Sequence, residues 1–170
     1  MDYPCGSGVM AGNSGVLLND EMDDFSAKPG VPNAYGLVGA EANAIAPGKR
    51  MLSSMSPSFV EDENGVAVIG TPGGSRIITM VVHGIMAYLN GEDAMSVVSK
   101  CRYHHQYLPD HIQHERGCFN DDLILGLQVR EHQLNERDDF GNMQLVTWQR
   151  KTNRVSAASD PRGIGSAEVR

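Results

Sequence analysis

Three groups of residues in this chain have the types and spacing to do chemistry. The first is Thr71-Pro72-Gly73-Gly74-Ser75-Arg76, set between an apolar run, Val66-Ala67-Val68-Ile69, and a longer apolar segment from Ile77 to Leu89. Adjacent glycines there bring bare backbone N–H groups to a helix N-terminus, where unpaired donors and the helix dipole favour negative charge. A phosphate, a carboxylate or the oxyanion of acyl transfer fits such a place, and so does a tight turn with no ligand. The second group is acidic: Asp20, Glu21, Asp23 and Asp24. Facing water they form a solvated loop; converging on a pocket they form a seat for a cation such as a substrate ammonium. The third is Ser53-Ser54, whose hydroxyls either turn the backbone or donate to a bound carboxylate.

Other motifs lead nowhere. His104, His105, His111 and His114 are close in sequence, but only His111 and His114 have the spacing of one helical face, and no third metal ligand is evident beside them. Asp139-Phe140-Gly141 matches the metal-binding tripeptide of protein kinases without the motifs that precede it there. Gly70 to Arg76 lacks the Gly-Lys-Ser/Thr ending of a phosphate-binding Walker loop. Cys5, Cys101 and Cys118 are widely spaced and odd in number, and read as ordinary thiols.

The elements that must position these groups follow from periodicity and turn chemistry. Val66–Ile69 reads as a buried strand and Ile77–Leu89 as a helix. Ser58-Phe59-Val60 reads as a strand paired antiparallel with Val66–Ile69 through a hairpin at Glu61-Asp62-Glu63-Asn64-Gly65. Val16-Leu17-Leu18 is strand-like. Residues 91–98 and 121–131 read as further helices, 102–109 as an aromatic, His-rich loop or strand, and 143–148 and 155–158 as closing strands. The segment from Ser26 to Lys49, rich in Gly, Pro, Ala and Asn, reads as irregular and serves as a candidate mobile cover. The tail from Arg162 to Arg170 looks frayed. Together these describe a layered α/β domain.

At 170 residues the chain can bury a core of its own. Its net charge of −7 and lack of a basic cluster argue against nucleic acid as a partner. No apolar run has the length of a membrane-spanning helix, and residues 1–6 have no signal-peptide character.

Taken together, the motifs are more specific. Leu17-Leu18-Asn19-Asp20-Glu21-Met22-Asp23-Asp24-Phe25-Ser26, Lys28-Pro29-Gly30-Val31-Pro32-Asn33, Leu52-Ser53-Ser54-Met55-Ser56-Pro57 and Gly70-Thr71-Pro72-Gly73-Gly74-Ser75-Arg76-Ile77 occur in that order. In this the chain resembles the small subunit of the γ-glutamyltransferases, also called glutathione hydrolases. The likeness extends through Tyr103-His104-His105-Gln106-Tyr107-Leu108-Pro109 to Ala158-Ser159-Asp160-Pro161-Arg162.

The resemblance implies an N-terminal-nucleophile hydrolase with a four-layer αββα sandwich, made as a precursor that cuts itself into two subunits. A threonine at the new amino terminus would attack the γ-glutamyl amide of glutathione, and the acyl group would pass to water, an amino acid or a peptide. No metal or cofactor is implied. By the family pattern Glu21 and Asp24 would take the substrate ammonium and Ser53 and Ser54 its carboxylate. Gly73 and Gly74 would offer N–H groups to the tetrahedral oxyanion, and residues 29–40, with Tyr35 near their middle, would form a lid.

The pattern also departs from the family's. The nucleophilic threonine lies upstream of the Gly6-Ser7-Gly8 turn in the family, and Asp2 stands near the position of a family asparagine. The expectation is therefore a piece of such an enzyme, inactive alone and partnered by a large subunit. The alternative is a protein that binds γ-glutamyl or amino-acid ligands, or a partner subunit, without turnover. By resemblance the location is periplasmic or extracellular.

Overall fold

The computed structural model describes residues 6–170; Asp2 and Cys5 lie outside the described residues. The chain runs β1 (Ser58–Glu61), β2 (Gly65–Gly70), α1 (Arg76–Leu89), α2 (Ala94–Ser99), β3 (Tyr103–His104), β4 (Ile112–Glu115), α3 (Asp121–Val129), β5 (Leu134–Arg137), β6 (Gln144–Gln149) and β7 (Arg154–Ser159). Four strands form an antiparallel sheet in the order β1-β2-β6-β7, and three form a smaller sheet in the order β3-β4-β5, with β4 and β5 parallel. This mixture of helices and sheets is the α+β class that the periodicity predicts.

The β1–β2 hairpin is set by its turn. Both Asn64 and Gly65 donate their backbone N–H to Asp62 Oδ1 at 2.8 Å, and these bonds, that to Gly65 foremost, lower the Asp62 pKa. Gly65 is required by packing: a Cβ there would stand 2.0 Å from the Trp148 carbonyl oxygen on β6. The predicted antiparallel pairing follows, with Phe59 opposite Val68 and Glu61 opposite Val66.

One face of the larger sheet is covered by helices. Ala67, Ile69, Leu145 and Ala158 point inward and meet Ile77, Met80, Val81 and Ala87 of α1 and Val97 and Val98 of α2, all buried. Gly84 lets α1 approach closely, since a Cβ at that position would lie 2.3 Å from Ile69 Cδ1. The alternate residues Phe59, Val68, Val146 and Val155 point the other way and are exposed, the period of two expected of strands. Each buried aliphatic side chain in the covered layer contributes about 1.5–3 kcal/mol.

The short helices are capped by side chains. Asp93 accepts from the Met95 and Ser96 amides at 3.0 Å each, and Asn120 accepts from Leu123 at 2.8 Å. Helix α3 then carries the chain from β4 to its parallel neighbour β5, a connection of the kind parallel strands require.

Behind these elements lies a buried ionic network. Arg102, 2 % exposed, pairs with Asp160, 1 % exposed, and also donates to the carbonyls of Phe140 and Val98. Glu115 takes Arg162 in a two-pronged pair, 2.8 Å from Nε and 2.6 Å from Nη2, and accepts the backbone amides of Arg102 and Phe140. Asp160 in turn accepts from the Met143 and Arg162 amides at 2.8 and 2.9 Å. Burial alone would raise the Asp160 pKa; the hydrogen bonds from Arg162, Met143 and Arg102 outweigh it and hold the pKa below its ordinary value.

Several sequence expectations are corrected. Cys101 and Cys118 are joined as a disulfide with their Cα atoms 5.4 Å apart, because the β3–β4 pairing folds a 17-residue separation back on itself. Strands β4 and β5 were not foreseen: their polar sequences, Ile-Gln-His-Glu and Leu-Asn-Glu-Arg, lack the apolar alternation that marks a strand. His114 lies in β4, so His111 and His114 share no helical face. Among the described residues Val16–Leu18 contributes a single bridge, between Met10 and Leu17. The acidic group winds into a 3-10 turn over Glu21–Asp24 rather than an open loop. Arg162 is anchored by the ionic network instead of frayed, and regular structure is missing from residues 164–170.

Two predictions follow from this architecture. Alkylation of the native protein without reductant should leave Cys101 and Cys118 unlabelled in a peptide mass map, and reduction should expose both; labelling of either before reduction would refute the bridge. Asp160→Asn should lower unfolding stability by about 3–5 kcal/mol, the usual cost of breaking a buried pair. Because the folded Asp160 pKa is depressed, its contribution is complete above the ordinary carboxylate range near 4 and is lost as pH falls through the depressed value. Urea midpoints measured against pH should show that acid-side loss in the parent and less of it in the variant.

Candidate active site

The Gly73–Gly74 turn is built as the sequence indicates. Gly73 has φ 144° and Gly74 φ 58°, conformations that side chains rarely adopt. Their carbonyls close the first turn of α1, accepting from Arg76 at 3.2 Å and Ile77 at 3.0 Å. Among the described residues no acceptor takes the N–H of either glycine, which is the state an anion-binding turn requires.

The ring of Tyr35 lies directly on this turn. A Cβ built on Gly74 would stand 2.4 Å from Tyr35 Cζ, and the Arg76 guanidinium lies 5.2 Å from the ring centroid. The loop that carries Tyr35 is ordered by its own bonds and is not structureless. Asn33 Oδ1 accepts from the Tyr35 and Leu37 amides at 2.9 and 3.0 Å, and Asn33 N–H donates to Leu37 O at 2.9 Å.

Below the loop is a cavity of about 550 Å³. Asp24, Ser53, Ser54, Tyr35 and Ser75 all line it, with Asn43 and Ile78. Four of the predicted residues thus come together in one cavity, and Tyr35 links it to Gly74. Glu21 stands at the start of the same 3-10 turn as Asp24 but is not part of the cavity wall. The Ser54 hydroxyl is buried and has no hydrogen-bond partner among the described residues. An orphaned donor of this kind costs about 1–3 kcal/mol, and a bound acceptor would relieve it. A second cavity, about 450 Å³ around Tyr88, Trp148 and Lys151, holds none of the predicted residues.

Asn43 was missed in the sequence. Its Nδ2 donates to Asp24 O at 2.7 Å and its Oδ1 accepts from Leu52 N at 3.1 Å, so one amide ties the acidic turn to the serine loop. The backbone adds a bond from Ser26 N to Asn43 O at 2.9 Å. No local signal separates this asparagine from others in a Gly- and Asn-rich stretch.

The histidines go to different partners. His104 bonds Thr79 at 2.8 Å and Gln106 at 2.9 Å, while His105 faces Asp110 at 2.8 Å. No group of three candidate metal ligands occurs among the described residues, and no helix among them is long and apolar enough to cross a membrane.

A sheet with one helix-covered face is the part of the N-terminal-nucleophile hydrolase fold that this chain shares with its solved relatives. A family model described as gamma-glutamyltranspeptidase matches residues 1–169. The glutathione hydrolase proenzyme of Escherichia coli K12 is 44% identical over 161 residues, which are 94% of this chain and 27% of that protein. Among solved structures, the T380A mutant of Helicobacter pylori gamma-glutamyltranspeptidase superposes with a TM-score of 0.85 at 40% identity, over 95% of this chain and 89% of that one. The Pseudomonas nitroreducens enzyme complexed with L-DON superposes with a TM-score of 0.80 at 44% identity, over 97% and 87%. The chain belongs to the gamma-glutamyltranspeptidase family. It spans between a quarter and a third of the curated bacterial relatives it matches, 27% and 30% of their lengths.

Gly74→Ala should act on both functions of the turn. The strained φ costs on the order of 1–2 kcal/mol, and the methyl group would displace the Tyr35 ring. A lowered melting temperature together with faster proteolysis in residues 31–38 is the expected result; a parental proteolysis pattern would show that the ring does not rest on Gly74.

Proposed function

We propose that this chain furnishes the glutamyl pocket and the oxyanion turn of a γ-glutamyl acyl-transfer enzyme. The reaction is cleavage of the γ-glutamyl amide of glutathione and related compounds, with transfer to water, amino acids or peptides. The observation that carries the reading is the buried Ser54 hydroxyl, without a partner among the described residues, in a cavity also lined by Asp24. A glutamyl group offers an α-carboxylate and an α-ammonium side by side, and this cavity offers a donor and an anion.

In this reading Asp24, with Glu21 behind it, takes the ammonium, and Ser53 and Ser54 donate to the carboxylate. The γ-carbonyl then reaches the Gly73–Gly74 turn. Attack turns that carbonyl oxygen into an oxyanion, and the two N–H groups stabilise it where the negative charge forms; one such donor is typically worth about 10² to 10³ in rate. Tyr35 closes over the pocket and keeps bulk water from the acyl intermediate. The attacking threonine and its α-amine base belong to the remainder of the enzyme, which includes a large subunit as partner. A periplasmic or extracellular location is supported by the Cys101–Cys118 bridge, since disulfides persist in oxidising compartments. Ligand binding without turnover is not favoured, because the matched relatives carry the names of glutathione hydrolases and transpeptidases.

The test is release of aniline from a γ-glutamyl anilide by the assembled two-subunit protein. Asp24→Asn should lower kcat/KM roughly 10- to 100-fold, the worth of a hydrogen bond to a charged group, and Ser54→Ala roughly 5-fold. Absence of turnover by the parent, or parental kcat/KM in both variants, would overturn the assignment.

A further inference from the structure

Gln106 makes four hydrogen bonds, the full capacity of a side-chain amide. Its Oε1 accepts from Ser75 Oγ at 2.7 Å and from His104 Nε2 at 2.9 Å. Its Nε2 donates to Tyr35 O and to Leu108 O, each at 2.7 Å. The orientation is dictated by these partners: turned over, the amide would set its carbonyl against two carbonyls. With Oε1 as acceptor His104 must donate through Nε2, which leaves Nδ1 to accept from Thr79 Oγ1 at 2.8 Å. Burial lowers the His104 pKa, in keeping with a neutral ring.

Ser75 shows what this network takes precedence over. It occupies the N-cap position of α1, yet makes no side-chain capping bond and has helical dihedrals, although serine is among the favoured capping residues. Its hydroxyl goes to Gln106 instead. The residue that follows Gly74 is thereby bonded, through one amide, to the backbone of Tyr35. Pro109 supports the next position of the same loop: a Cβ on Gly36 would lie 2.6 Å from Pro109 Cδ.

We propose that Gln106 is a positioning residue that holds Tyr35 over the Gly73–Gly74 turn and so keeps the lid in register with the oxyanion site. The inference rests on the γ-glutamyl acyl-transfer reading of that site. Gln106 bonds neither glycine N–H and none of Asp24, Ser53 and Ser54; it reaches the cavity wall only by holding Tyr35 and Ser75 from behind. Its loss leaves the binding and oxyanion groups in place and releases the tyrosine that covers them.

Two variants separate this from a purely structural role. Gln106→Leu removes all four bonds. Gln106→Glu keeps the acceptor for Ser75 and His104 and loses the donors to Tyr35 O and Leu108 O, so it attacks the lid and spares the scaffold. In Gln106→Glu, amide hydrogen exchange of residues 33–38 should quicken about tenfold, which corresponds to about 1.4 kcal/mol, while residues 65–70 exchange as in the parent. In the assembled enzyme KM for the γ-glutamyl donor should rise about tenfold with kcat within about threefold, on the scale of one or two net hydrogen bonds, and both variants should lose this effect when Tyr35→Ala is also present. Unchanged exchange over residues 33–38, or a KM effect undiminished in the Tyr35→Ala background, would overturn the proposal. If the assembled parent turns over no γ-glutamyl substrate, the functional reading falls, and the exchange measurement still decides whether Gln106 holds the lid.

Discussion

The fold depends on an exchange of charge made largely out of contact with water. Arg102, Glu115 and Asp160 are buried, and Arg162, partly exposed, closes the set of two positive and two negative groups. Isolated, each would cost several kcal/mol to bury. Here each charge meets an opposite one, and the remaining donors and acceptors are taken by backbone: Val98 and Phe140 carbonyls for Arg102, Met143 and Arg162 amides for Asp160, Arg102 and Phe140 amides for Glu115. The network therefore joins the end of α2, strands β3 and β4, the approach to β6 and the end of β7. The end of α2, the approach to β6 and the end of β7 also meet in the apolar core through Val97, Val98, Met143, Leu145 and Ala158, and the network ties strands β3 and β4 to them through polar groups.

That junction sets where β3 begins, and β3 leads directly into His104 and Gln106. The glycine turn is positioned from the opposite side, by β2 and α1 packing on the apolar core. The candidate site forms where these two frames meet. The Tyr35 loop is therefore attached to both: the Tyr35 ring rests on the β2–α1 turn while its carbonyl is held from the β3 side. The wall of the cavity below Tyr35 is tied together separately, by Asn43 between the acidic turn and the serine loop.

The site combines groups left unsatisfied with groups that are fully bonded. The Ser54 hydroxyl and the Gly73 and Gly74 amides lack acceptors among the described residues. Gln106, one step further out, has every bond an amide can make. This distribution is what a binding site needs, since donors meant for a ligand must not be spent on the protein, while the residues that aim them must not move. It also accounts for a capping serine that leaves its own helix uncapped.

The sequence by itself determined whatever short-range chemistry controls. Alternation and an Asn-Gly turn announce the β1–β2 hairpin, a strand followed by two glycines and a long apolar segment announces the turn into α1, and the ordered motifs announce the family. The residues expected at the pocket, Asp24, Ser53, Ser54 and Tyr35, were legible through the family resemblance that their strings carry, where local chemistry alone left a solvated loop or a backbone turn equally open. Tertiary structure decided the rest. Strands β4 and β5 are polar and short, and they are held because buried Gln113 and Glu115 find partners distant in sequence, Arg76 and Arg162. The Cys101–Cys118 bridge, the ionic network, Asn43 and Gln106 likewise depend on contacts between segments that are not neighbours in the sequence. A lone polar residue carries no local mark of the partner it will meet, so its role becomes visible only when the chain has brought the two together.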